Sequence, residues 1–248
     1  MAVGSYQKCK QYIESHSQRE EPPAKRKVYP CITITRETGA GVMSVCKELI
    51  KLLEAISEED GIHWTYFDRK LIQKVLEDHN LPQQLREFMP EDKTNYVKSI
   101  VYEILGIHPS HLTLLYKTTE TVVHLARMGK SIIVGRGSNI TTAKFKNTFH
   151  VRLIAPIENR IQHVMEFTNL SRSDAYAYIK REDAARRRYL KSNYSGDVQD
   201  PHLYHLIINT VRFTYKEAAQ VIVNTLIDKF PGIFMEEVFT EFFSYDQP

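Results

Sequence analysis

The sequence has little that would anchor it, staple it or bind it to a polyanion. No apolar run approaches the roughly 20 residues that cross a bilayer, and the polar N-terminus lacks the apolar core of a signal peptide. Cysteine is scarce: Cys9, Cys31 and Cys46 are odd in number and show no metal-type pairing, while Cys31 and Cys46 fall inside apolar patterns. A reducing compartment, and so a cytoplasmic location, is the expectation. The net charge of +3 is too small and too dispersed to imply nucleic acid or membrane as a partner. Internal repeats and low-complexity tracts are also missing. What is present, 42% hydrophobic and 25% charged residues over 248, suits a globular chain with a real core.

The informative stretch runs from Thr33 to Ser44. The apolar, β-branched run 28–34 predicts a buried strand, Gly39-Ala40-Gly41 a tight turn, and Val42, Val45, Cys46, Leu49, Ile50 and Leu53 a helix behind it. A strand, a glycine loop and a helix N-terminus together form a unit able to hold phosphates on main-chain N–H groups. The same unit also occurs without a ligand. Measured against G-x-x-x-x-G-K-[ST], the chain has Arg36 in place of the first glycine and Val42 in place of the lysine. Gly41 alone fits, with a hydroxyl at Ser44 two positions beyond Val42.

Further strands are expected at 62–67, 131–135, 149–154 and 203–209, with helices after the first, third and fourth of these. That alternation calls for a parallel sheet with helices on both faces. In such sheets ligands sit beyond the carboxyl ends of the strands, which places Gly39 to Gly41, Asp68 and Arg136 at one crevice. Asp68 stands where a strand meets a helix, as an N-cap, a substrate contact or both. Residues 1–27 read as a polar N-terminal extension in which Tyr6, Tyr12 and Ile13 allow a short helix, 28–230 as the main domain and 231–248 as an aromatic C-terminal segment that packs on the core or on a second subunit. Within the domain, 80–130 reads as a helical insertion; His108 and His111, split by Pro109, are surface or cap residues.

Ser171 and Asp174 have capping-box spacing and open a helix expected to end near Lys191. Asp183 lies three and four residues from Arg186 and Arg187, within pairing reach. A charge run of this kind is ordinarily a solvated helix face. Its cations, however, cluster toward one end before the loop 192–197, the pattern of an arginine-bearing lid over 171–200.

Taken in order, Ile32 to Gly41, Phe67-Asp68-Arg69-Lys70-Leu71-Ile72, Ile133 to Gly137, Leu153 to Arg160, Asp183 to Arg186 with Tyr189, and Asp200-Pro201 leading to Asn209-Thr210 resemble the cytidylate kinase-like family of P-loop nucleotide kinases. The resemblance implies a P-loop NTPase-type five-stranded parallel sheet, a helical monophosphate-binding insertion and an arginine-bearing lid. It implies phosphoryl transfer from ATP, with Mg2+, to a nucleoside monophosphate such as CMP or dCMP. By position, Thr38, Gly39, Ala40, Gly41 and Ser44 would hold ATP phosphates, Ser44 also the metal. Asp68 and Arg136 would face the acceptor, while Arg36, Arg160, Asp183 and Arg186 would form the catalytic clamp. Two departures stand out: Val42 in place of lysine, and Gly137 where cytidylate kinases carry an acid. They favour the alternative, a nucleotide-binding regulatory protein impaired in turnover; the arginine set favours an enzyme. Nucleic acid and membrane partners are not expected.

Overall fold

The computed structural model describes residues 2–17, 28–57, 61–77 and 113–234. Five strands, β1 (Cys31–Arg36), β2 (Thr65–Phe67), β3 (Ser131–Val134), β4 (Thr148–Ile154) and β5 (Leu206–Asn209), form one parallel sheet in the order β2-β3-β1-β4-β5. Because β1 is central and both its faces are covered, its residues from Cys31 to Thr35 are all buried, and the strand reads as a continuous buried run.

One face packs Ile32 and Ile34 against Val45, Leu49 and Leu53 of α2 (Val42–Ala55) and Ala218, Ile222 and Leu226 of the last helix, Tyr215–Lys229. Each of the Val, Leu and Ile side chains among them contributes about 1.5–3 kcal/mol on burial. The other face packs Cys31, Ile133 and Phe67 against α1 (Ala2–Ser17), α3 (Arg69–Glu77) and α4 (Thr113–Met128). Farther along that face the layer turns polar, where Thr33 and His150 are buried and bonded at 2.7 Å.

Residues 2–17 are therefore not a loose polar extension. Cys9, Tyr12 and Ile13 are buried against Phe67, Ile72 and Val75, and the Tyr12 hydroxyl donates to the carbonyl of Gly129. Three apolar residues on one helix face outweighed the polar average of the segment. Residues 80–112 of the expected insertion, with His108 and His111, lie outside the described residues, as do 18–27 and 235–248. At the other end Phe234 is buried in the main core.

After β3 come the short helix α5 (Ser138–Thr141), α6 (Ile157–Thr168) behind β4, α7 (Arg172–Tyr194) and a 3-10 turn at Pro201–Leu203; the last helix is α8. Pro156 stands at the N-cap of α6. Ser171 accepts the Asp174 N–H at 3.2 Å, but the Asp174 carboxylate accepts from the Ser171 hydroxyl, so the reciprocal box is incomplete. The complete box is Thr214 with Glu217 on α8. Helix α7 also runs past Lys191 as far as Tyr194, into the first half of the expected loop, because Tyr194 is buried with Leu115, Leu190 and Val198 and holds the last turn in place.

Candidate active site

The loop after β1 is tied at both ends. Glu37 extends the β1–β4 pairing through its N–H to the carbonyl of Leu153 at 3.0 Å, and its carboxylate accepts the Ala155 N–H at 3.0 Å. Gly39 (φ 85°) and Gly41 (φ 75°) adopt left-handed conformations open to glycine at little cost. A methyl group on Gly39 would lie 2.6 Å from the Arg160 carbonyl oxygen, and one on Gly41 would lie 2.3 Å from the Tyr215 ring. Gly41 also opens α2 with no side-chain cap, so the first-turn N–H groups of the helix have no intrahelical partner. Val42 packs on the main core and Met43 is exposed, while Ser44 sits half-buried in the first turn.

Three side chains from two distant helices, α6 and α7, converge on Thr38. Asp183 Oδ1 accepts the Thr38 N–H at 2.9 Å and its hydroxyl at 2.6 Å. The Arg160 guanidinium donates to Asp183 Oδ2 at 2.6 Å, and Arg186 donates to Asp183 Oδ1 at 3.0 Å and to Thr38 Oγ1 at 2.8 Å. Burial pushes the Asp183 carboxyl up, but the Thr38 and Arg160 hydrogen bonds outweigh it and hold the group below the usual carboxylate range.

On the other side of Arg186 lies a cavity of about 270 Å³ beyond the carboxyl ends of β1 and β3, lined by Arg36, Arg69, Arg136, Arg186, Glu182 and Tyr189 among others. Four guanidinium groups face one carboxylate there. Burial, followed by the neighbouring charge of Arg186, pulls Arg36 down to about 10. Its guanidinium lies against Gly135, where a methyl group would come within 2.4 Å of it. Arg36 and Arg136 thus share one wall, Arg160 stands at the loop, and Arg186 touches both places. Asp68 caps α3 by accepting the Leu71 N–H at 2.9 Å.

Arg69, Tyr194 and Tyr215 were not singled out by the sequence reading. Arg69 had a signal: a cation at the first position of a helix opposes the dipole and needs another reason to be there. The two tyrosines had none, since each acts through contacts across the fold.

The sheet order and the glycine loop after the central strand define the fold of a P-loop kinase. The chain belongs to the cytidylate kinase-like family, whose model matches residues 31–212. This membership supports a nucleotide kinase in general terms. A solved structure of an uncharacterized protein from Eubacterium ventriosum is similar in fold, with 18% identity, TM-score 0.52, and 79% of this chain and 98% of that one covered. A shikimate kinase from Acinetobacter baumannii is more distant, at 17% identity and TM-score 0.40 over 84% of this chain and 98% of that one. A uronate isomerase of Corynebacterium glutamicum is 29% identical over 100 residues, 40% of this chain; the match spans only 19% of that enzyme. Among the described residues, no helix is long and apolar enough to cross a membrane.

Proposed function

We propose that this chain transfers the terminal phosphoryl group of ATP to a nucleoside monophosphate, with CMP and dCMP the leading acceptors. The observation that most supports this reading is the position of Arg186, which lines the four-arginine cavity and also donates to Thr38 of the glycine loop. A guanidinium between two anion seats is what phosphoryl transfer requires, because its transition state is diffuse and is stabilised by positioning and neutralisation of charge. No general base is needed: a phosphate monoester acceptor is already largely ionised near neutral pH.

In this reading the first turn of α2 and the loop amides hold the donor's anionic tail, and Arg160 and Arg186 supply the charge that Val42 lacks. Arg36, Arg69 and Arg136 hold the acceptor phosphate. Ser44 would hold magnesium together with phosphate oxygens, and the ion would supply charge neutralisation at the transferring group. The donor set fits an anion: uncapped N–H groups, two constrained glycines and two guanidinium groups at one loop. The reducing, cytoplasmic setting belongs to the same reading, and the three cysteines, Cys9, Cys31 and Cys46, are buried and unpaired in keeping with it.

The second reading, a nucleotide-binding regulator with little turnover, is favoured by Val42 and by the Asp183 carboxylate, which holds an amide that a donor phosphate would need. A screen of nucleoside monophosphates with ATP and magnesium tests the proposal. Formation of a diphosphate product supports the kinase, and tight nucleotide binding without product supports the regulator.

A further inference from the structure

Gly135, Arg136 and Gly137 have φ values of 81°, 64° and 68°, three left-handed residues in a row. For the two glycines this costs little; for arginine it is a strained backbone that persists only where the surroundings hold it. The surroundings that do so come from the C-terminal turns of α7. The Tyr194 hydroxyl donates to the Arg136 carbonyl at 3.3 Å and meets Thr119 Oγ1 at 3.2 Å. Its ring fills the space beside Gly137, where a methyl group would lie 2.5 Å from it. One and a half turns earlier, Tyr189 stands at the cavity wall with the Arg136 guanidinium 5.7 Å from its ring centroid, and the two tyrosine rings meet edge to face at 5.9 Å. Arg136 Nε is buried without a hydrogen-bond partner, while the rest of its guanidinium meets Tyr189 both over the ring and at the hydroxyl, so among the described residues Tyr189 is what aims this side chain.

We infer that Tyr194 and Tyr189 are positioning residues for Arg136, the first holding its backbone and the second its guanidinium, so that affinity for an acceptor phosphate is set by the end of α7. This rests on the acceptor reading given above. It also accounts for Gly137: the space that a side chain there would need is taken by the tyrosine that supports its neighbour. Burial raises the Tyr189 hydroxyl, with Tyr194 adding to the effect, so it stays protonated and neutral beside the arginine at physiological pH.

Packing alone would need the Tyr194 ring and not its hydroxyl, which separates the two roles. Calorimetric titration with CMP, steady-state kinetics and thermal unfolding are to be measured on wild type, Tyr194→Phe, Tyr189→Phe and Tyr189→Leu. Tyr194→Phe is expected to weaken CMP binding and raise its KM about tenfold, with kcat and the KM for ATP close to wild type and the melting temperature lower by only a few degrees, the scale of one lost buried hydrogen bond. Tyr189→Phe keeps the ring but not the hydroxyl and should fall between wild type and Tyr189→Leu, which should lose tenfold or more. Wild-type CMP affinity in both Tyr194→Phe and Tyr189→Leu overturns the inference, as does a fall in kcat with KM unchanged. If Tyr194→Phe fails to fold, Tyr189→Leu decides alone. A wild-type protein that binds no nucleoside monophosphate overturns the acceptor reading itself, and this inference with it.

Discussion

The carboxylate of Asp183 holds the glycine loop at Thr38 by two hydrogen bonds, 2.9 Å to the main-chain N–H and 2.6 Å to the hydroxyl. Two arginines complete the knot, so one acid on α7 ties the loop after β1 to α6 and to its own helix. In the kinase reading, the donor meets a loop already ringed by cationic groups and displaces a carboxylate on entry. In that same reading, charge brought by Arg160 and Arg186 offsets the loop lysine absent at Val42.

Arg186 is the member of that knot that also faces the cavity. Arg186→Ala is expected to lower kcat for phosphoryl transfer by about a thousandfold, the scale at which a single arginine stabilises such a transition state. Steady-state kinetics with ATP and CMP check this, with circular dichroism to confirm that the variant folds.

Gly39 has no room for a side chain. Gly39→Ala sets a methyl group 2.6 Å from the Arg160 carbonyl oxygen at a φ of 85°, so the loop or the start of α6 must shift. A stability loss of about 1–3 kcal/mol is expected in urea unfolding, together with weaker ATP binding.

The buried His150 makes stability depend on pH. Burial, reinforced by the neighbouring His205, depresses its pKa from 6.5 to about 4. The folded state thus favours the neutral ring, and the unfolded chain binds the extra proton between those values. This contribution is fully present above pH 6.5 and is lost as pH falls toward 4, amounting to up to about 3 kcal/mol. Melting temperature should be flat above pH 7 and fall below 6.5, and His150→Asn should flatten that slope.

Restoring an acid beside Arg136 should fail structurally. Gly137→Asp places a side chain into the Tyr194 ring at a left-handed φ of 68°, and a melting temperature several degrees lower is expected.

The sequence made the sheet legible because the central strands β1, β3 and β4 are short runs rich in apolar and β-branched residues and the Gly39–Gly41 pair punctuates a turn. Local patterns such as Gly39-Ala40-Gly41 and Asp183 with Arg186 announced their structure. Segments decided by tertiary contact did not: residues 2–17 read as polar, although Cys9, Tyr12 and Ile13 are buried, and α7 outlasts its expected end because Tyr194 packs at a distance. At the site the individual cations were visible as residue types. That Arg36, Arg69 and Arg136 share one cavity while Arg160 stands at the loop follows from strand order and cannot be read from spacing.

The most direct test follows the label of γ-phosphate-labelled ATP incubated with magnesium, CMP and the full chain. The account predicts that label appears in CDP, with transfer strongly reduced in Arg186→Ala and Arg136→Ala. Label that stays in ATP, or passes only to inorganic phosphate, with CMP and each of the other nucleoside monophosphates contradicts it.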